Sequence, residues 1–310
     1  MNLKLTWLIL LFSILSFSAK ALDKKITTSD GVELFVTVKG KGIPCLYIHG
    51  GPGSGAYWLQ AFSGDMLEKN MQMIYVDQRG VSRSGSPQNN DYSLVRMLQD
   101  FEEVRESLGI KRWLVFGHSF AGGIQTSYAA KYPDAVAGMM MINGTVNVSA
   151  SLDGMIRYAK ERVPAEALAD INEPSKTLME KMMICHQVLG EDVYKVYYRD
   201  KASADTMNAV MGRISNWNHS FSSQVNNFPE YFADFSPLTK KVKIPVLVFS
   251  GNRDFAIGPE HYKLIQFPKQ VLVKAEVGHL PFIEAKTELE TAITQYLKKF
   301  FPSRSIQGTI

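Results

Sequence analysis

The apolar residues gather in short unbroken blocks: Cys45–Ile48, Met73–Val76, Trp113–Phe116, Val136–Ile142, Val246–Phe249 and Val271–Val273. A block that does not alternate apolar with polar predicts a strand buried on both faces. Longer segments lie between the blocks, and Ser93–Leu108, Phe120–Lys131, Pro259–Phe267 and Thr287–Phe300 are the predicted helices. Buried strands alternating with helices imply a mostly parallel sheet with helices on both faces. Ahead of them, the β-prone runs Lys25–Thr28 and Val32–Val38 flank Ser29-Asp30-Gly31, a turn sequence that predicts a hairpin.

Two stretches break this rhythm. From Ser149 to Lys243 there is no buried strand block, and the segment is rich in Met, Ala, Lys and Glu with scattered aromatics. It reads as a helical cap insertion, 149–243, that folds over the sheet and divides a core made of 22–148 and 244–310; the alternative is a separate second domain. The first twenty-one residues have a different character. Lys4 is followed by an apolar run from Leu5 to Phe17 and then by Ala19-Lys20-Ala21. This is the layout of a secretory leader, cleaved near Ala21 and directing export to the periplasm or beyond. The alternative, a membrane anchor, calls for a longer apolar run.

Composition narrows the partners. The chain has 310 residues, 45% hydrophobic and 21% charged, which excludes compositional disorder. Its net charge of +4 falls to +2 without the leader's Lys4 and Lys20, so charge gives no reason to expect nucleic acid or an acidic membrane as partner. The two cysteines, Cys45 and Cys185, are far apart and do not make a disulfide framework; they read as buried thiols. No cluster has metal-ligand spacing and no Gly-rich phosphate loop occurs, so neither metal nor cofactor is expected. The expected partner is a small molecule or a short peptide, with no stable membrane anchor after cleavage.

The sharpest local signal is Gly117-His118-Ser119-Phe120-Ala121-Gly122-Gly123, which follows one apolar block and opens a helical segment. Strand, tight turn, then helix with serine at the apex is the nucleophile elbow. Serine needs a base to attack near neutral pH. Of the six histidines, His279 in Gly278-His279-Leu280-Pro281 lies just past the last strand and best fits the chain order Ser, acid, His. Asp254 follows the preceding strand through Ser250-Gly251-Asn252-Arg253 and is the expected acid, orienting His279. The side chain of His118 is expected to project away from the serine, and His49 reads as structural. The loop His49-Gly50-Gly51-Pro52-Gly53 is expected to supply the backbone N–H of Gly51 to an oxyanion, beside that of Phe120.

These pieces, in this order, resemble the α/β-hydrolase superfamily. His49-Gly50-Gly51-Pro52-Gly53 and Asp77-Gln78-Arg79-Gly80 look like the HGGPG and DQRG signatures of the proline iminopeptidase family. The family usually continues DQRGxGxS; Ser82 stands where glycine is expected, while Ser84 matches. Its elbow is commonly GGSWG, and here it is Gly117-His118-Ser119-Phe120-Ala121. The resemblance implies an α/β-hydrolase fold with a helical cap and release of N-terminal residues from short peptides. It further implies a cap carboxylate for the substrate's amino group, with Glu161, Glu191 and Glu230 as candidates. Asp77 and Arg79 read as loop scaffold, and Trp217, Phe221, Tyr231 and Phe232 as candidates to line the pocket. An esterase acting on small esters or amides is the alternative, and a low-turnover binding protein the third reading.

Overall fold

The computed structural model describes residues 22–302; the leader lies outside the described residues. Eight strands form one sheet: β1 (Leu22–Thr27), β2 (Glu33–Lys39), β3 (Ile43–Ile48), β4 (Met71–Val76), β5 (Trp113–His118), β6 (Val136–Ile142), β7 (Val246–Gly251) and β8 (Gln270–Ala275). Their order is β1-β2-β4-β3-β5-β6-β7-β8. β2 runs antiparallel to both neighbours, and every other pair is parallel. All the strands after the opening hairpin therefore point their carboxyl ends to the same edge.

The sheet's two faces explain the unbroken apolar blocks. Leu46, Ile74, Val115, Met141 and Val248 pack on one face, and their chain neighbours Tyr47, Tyr75, Phe116, Ile142 and Phe249 pack on the other. Each buried side chain of this size contributes on the order of 1.5–3 kcal/mol relative to exposure. The helices α1 (Tyr57–Leu67), α2 (Leu94–Ser107) and α3 (Ala121–Lys131) follow β3, β4 and β5. α2 and α3 cover the first face through Met97, Phe101, Ile124 and Tyr128. α1 covers the second through Trp58 and Leu67, beside Leu289 and Tyr296 of the C-terminal segment.

Between β6 and β7 the described chain is helical: α4 (Val148–Lys160), α5 (Ala165–Asn172), α6 (Leu178–Leu189), α7 (Tyr194–Tyr197), α8 (Lys201–Met211), α9 (Ser220–Gln224) and α10 (Ser236–Thr239). α4 begins where the Asn147 side chain accepts the Ala150 N–H at 2.9 Å, a helix cap. Ile156, Ala159, Ile171 and Cys185 give these helices a small core of their own. After β8 come α11 (Pro281–Glu284) and α12 (Lys286–Phe300). Cys45 and Cys185 are both free and buried. Among the described residues, no helix is long and apolar enough to cross a membrane.

Two elements differ from the sequence expectation. Pro259–Phe267 is not a helix: it contains only a 3₁₀ turn, His261–Leu264. Pro268 restricts Phe267 to extended backbone, and Ile265 has already left the helical region so that both side chains reach the core. Conversely, α1 is absent from the expected helices, because Ser63-Gly64 interrupts it with poor helix formers. Burial of Trp58, Leu59, Met66 and Leu67 against the sheet overrides that local preference.

Ser82, at the position where the DQRG signature continues with glycine, holds a left-handed φ of 53°. It exchanges two backbone hydrogen bonds with Asn218, of 3.0 and 2.9 Å, which tie the inserted segment to the core. A non-glycine residue in this region costs roughly 1–2 kcal/mol, partly offset by the looser unfolded chain glycine would bring. Ser82→Gly is expected to raise stability by about 0.5–1 kcal/mol, read as a higher denaturant midpoint at unchanged slope. A lower midpoint would show that the side chain, not the backbone, decides this position.

Candidate active site

Ser119 sits at the tip of the turn between β5 and α3 with φ of 59°, left-handed for a residue with a side chain. The strain is held by four backbone contacts, one of them a 3.3 Å hydrogen bond from the Ser119 N–H to Ile142 O. The Ser119 N–H donates to Asn143 O at 3.1 Å, and its carbonyl accepts from the Gly122 and Thr145 N–H groups at 2.9 Å each. The turn also needs bare backbone around it. A Cβ on Gly122 would lie 2.2 Å from Thr145 O, and a Cβ on Gly50 would lie 2.5 Å from His118 O and 2.9 Å from the Ser119 Cβ. Only glycine lets the loop after β3 lie against the elbow. Ala121, where the usual elbow has glycine, is fully buried.

Asp254 and His279 arrive from the loops after β7 and β8, at the same sheet edge as Ser119. His279 Nε2 is 2.8 Å from Ser119 Oγ, and His279 Nδ1 is 2.8 Å from Asp254 Oδ2. With neutral imidazole this geometry has one consistent assignment: the serine hydroxyl donates to Nε2, and Nδ1–H donates to the carboxylate. The other oxygen of Asp254 accepts from the Ala256 and Ile257 N–H groups at 3.1 and 3.3 Å, which fixes its plane. Asp254 and His279 are buried, and Ser119 is part-exposed, so the hydroxyl is the group presented to a ligand.

Gly51, in the cis Gly51-Pro52 pair, directly follows the glycine packed on the elbow. Phe120 directly follows the serine and precedes the first turn of α3. Among the described residues neither backbone N–H is bonded to another backbone group.

Sequence reasoning missed several supports. His118 does not simply turn away: its Nε2–H donates to the His279 carbonyl at 2.8 Å, and the two rings lie 4.6 Å apart. Burial, then the neighbouring His279 charge, holds the His118 pKa well below its ordinary value, so it serves as a neutral donor. The His279 N–H donates to Tyr197 O at 2.7 Å, a contact from the inserted segment. Glu284 accepts from the Gly278 N–H at 2.8 Å and the Arg199 N–H at 2.6 Å, joining the histidine loop to that segment. The sequence showed a carboxylate shortly after the histidine, but nothing local marked the groups it would bond. His49 is held between the Gln78 N–H, which its Nε2 accepts at 3.1 Å, and Gly50 O, to which Nδ1 donates. Burial lowers its pKa to about 4, so it is a neutral brace for the loop.

The three candidate glutamates have these surroundings. Glu161 is exposed and pairs with Arg162, Glu191 is exposed, and Glu230 accepts the Leu94 N–H at the start of α2. Of the candidate aromatics, Phe221 and Tyr231 are fully packed in the core, with the Tyr231 hydroxyl donating to Tyr92 O. Phe232 packs 6.1 Å from the Phe120 ring, and Trp217 reaches the Gly53 carbonyl from the inserted segment.

A mixed sheet in this strand order, with serine, histidine and carboxylate meeting on loops at its carboxyl edge, defines a hydrolase of α/β fold. The profile described as alpha/beta hydrolase fold matches residues 44–286, and the chain belongs to that family. Proline iminopeptidase of Neisseria gonorrhoeae is 36% identical over 104 residues, a stretch that spans 32% of this chain and 32% of that enzyme. Lipase 1 of Psychrobacter immobilis is 26% identical over 273 residues, covering 86% of this chain and 80% of the lipase. Among solved structures, a proline iminopeptidase-related protein from Thermus thermophilus superposes with a TM-score of 0.77 at 19% identity, covering 91% of this chain and 99% of that one.

Proposed function

We propose that this protein is a serine hydrolase that works through an acyl-enzyme, with Ser119 as nucleophile, His279 as general base and acid, and Asp254 as the orienting carboxylate. The reading is carried by the Ser119–His279–Asp254 relay, with both links at 2.8 Å. In it, His279 Nε2 takes the hydroxyl proton as Ser119 Oγ attacks a carbonyl carbon. The Gly51 and Phe120 N–H groups receive the oxyanion. His279 then gives the proton to the leaving group, and water repeats the sequence to free the acid. The leader adds export to this reading, and the helices between β6 and β7 act as a cap that sets substrate choice.

For the substrate, the HGGPG and DQRG signatures and the Neisseria relative favour release of N-terminal residues from short peptides, as in an iminopeptidase. The second reading, hydrolysis of small esters, is favoured by the lipase relative, which aligns over most of the chain, and by the engagement of Glu161 and Glu230 with other groups. The two differ in one requirement: a free amine held away from water needs a carboxylate partner. Side-by-side turnover of aminoacyl p-nitroanilides, their N-acetyl forms and short p-nitrophenyl esters separates them. The peptidase reading expects kcat/KM to fall about 10- to 100-fold on acetylation, the size of losing a charged hydrogen bond. Equal cleavage of the blocked substrate refutes it and leaves the esterase.

A further inference from the structure

The residue that follows β6 belongs to none of the three loops that carry Ser119, Asp254 and His279, yet it touches all of them. Asn143 is buried, with φ of 42°. Its backbone carbonyl accepts the Ser119 N–H at 3.1 Å, and its own N–H donates to Phe249 O of β7 at 2.8 Å. Its side-chain oxygen accepts the Gly251 N–H at 2.8 Å, on the strand end that leads into Asp254. Its side-chain nitrogen donates to Gly278 O at 2.9 Å and to His279 O at 3.1 Å. The amide orientation is unambiguous, because the reverse would set the oxygen against two carbonyls and the NH₂ against an N–H donor.

We infer that Asn143 is the positioning residue of the site: one side-chain amide holds the acid loop and the histidine loop in register with the elbow. The inference rests on the acyl-enzyme reading above. Its physical basis is the acceptor and donor count. The His279 carbonyl has two donors, His118 Nε2–H at 2.8 Å and the Asn143 amide, so the backbone that carries the imidazole is gripped independently of Asp254. Gly251 ends β7 and Gly278 follows β8, and the Asn143 amide bonds both with a single planar group. A planar amide fixes the distance between its two ends, which a flexible or smaller side chain does not. The left-handed backbone is also part of the arrangement, because it turns the carbonyl to the serine amide and the side chain to the other two loops. Asparagine tolerates this conformation better than other residues with a side chain.

The test separates the amide from the backbone. Asn143→Gly keeps access to the left-handed conformation and removes only the amide. The measurement is inactivation by a fluorophosphonate, which reads attack by the serine without knowledge of the natural substrate. The limiting rate constant and the half-saturating concentration are determined separately, at a temperature where denaturation curves show each variant folded. For Asn143→Gly the limiting rate constant is expected to fall about 10- to 100-fold, the scale of a sub-ångström to 1 Å displacement of a reacting group, with the half-saturating concentration unchanged. A residue that served stability alone would lower the denaturation midpoint and leave the limiting rate of the folded protein at the native value, and that result overturns the inference. Asn143→Asp is the second variant. It keeps the size and the Gly251 contact but sets a carboxylate oxygen against Gly278 O and His279 O, and its limiting rate is expected to fall as far or further. A native rate in Asn143→Asp also overturns the inference. If the native protein itself takes no label at Ser119, the acyl-enzyme reading fails instead.

Discussion

Replacing Ser119 or His279 by alanine is expected to lower turnover roughly a million-fold each, and replacing both to cost little more than either alone. In the acyl-enzyme mechanism proposed above, the two act as one unit. Ser119 Oγ without a base at 2.8 Å is an ordinary alcohol, and His279 without the hydroxyl has no proton to take. Asp254→Ala is expected to cost less, about ten-thousand-fold, since it leaves nucleophile and base in place and removes only the group that fixes the ring at Nδ1. A fluorophosphonate should label Ser119 in the native protein and no residue in Ser119→Ala, as read by peptide mass after digestion. Near-normal activity in His279→Ala, or label on another serine, would remove the triad assignment. The residual activity is informative as well, because the Gly51 and Phe120 amides remain and should keep catalysis above the solvent reaction.

The largest loss of stability is expected at Arg79, the arginine of the DQRG signature. Its guanidinium is wholly buried, and all five of its N–H donors are used. Two bonds of 2.6 Å reach both oxygens of Asp100, two reach Asp30 at 2.9 and 3.2 Å, and one reaches Asp91 O at 2.8 Å. Arg79→Ala leaves Asp100 buried with only Arg96 beside it, and removing one partner of a buried ion pair costs about 3–5 kcal/mol. The loss should appear as a lower denaturant midpoint, and Arg79→Lys should recover little of it, since an ammonium cannot bond both carboxylates through a fork. A loss under about 1 kcal/mol would refute the scaffold reading. The network has a pH signature too. Burial raises the Asp30 pKa, but hydrogen bonds from Arg79 and Thr28 and the charges of Arg79 and Arg96 outweigh it, and the pKa falls from 3.8 to about 2. A carboxylate whose folded pKa is depressed stabilises the protein above its unfolded pKa and loses that contribution as the pH falls through the folded one. Asp30 should therefore contribute stability above about pH 4 that is lost on acidification toward about pH 2, and Asp30→Asn should flatten that part of the stability curve.

Much of this architecture was legible in the chain. Residues buried on both faces of a sheet cannot alternate with polar ones, so the blocks from Cys45–Ile48 to Val246–Phe249 marked the central strands, and their order placed Ser119, Asp254 and His279 each just after a strand. The ends of the strands were read short: β5 runs on through Gly117 and His118, and β7 through Gly251, because residues with turn chemistry can still pair when their neighbours hold them in register. Local preference also failed where burial outweighed it, as in α1, and where a following proline cut a helix to one turn, as at His261–Leu264.

What the sequence determined by itself was thus the order of the elements and the residue types offered at each turn. Short-range patterns carry that information, because strand burial, turn chemistry and the elbow are properties of neighbouring residues. What only the tertiary structure decided was which distant groups meet. Asn143 reaching Gly251 and Gly278, His118 turning to the His279 carbonyl, and Tyr197 and Glu284 tying the inserted segment to the histidine loop each join residues separated by long stretches of chain. A hydrogen bond of that kind leaves no periodicity and no local motif; it exists because the sheet brings the carboxyl ends of β5, β6, β7 and β8 side by side.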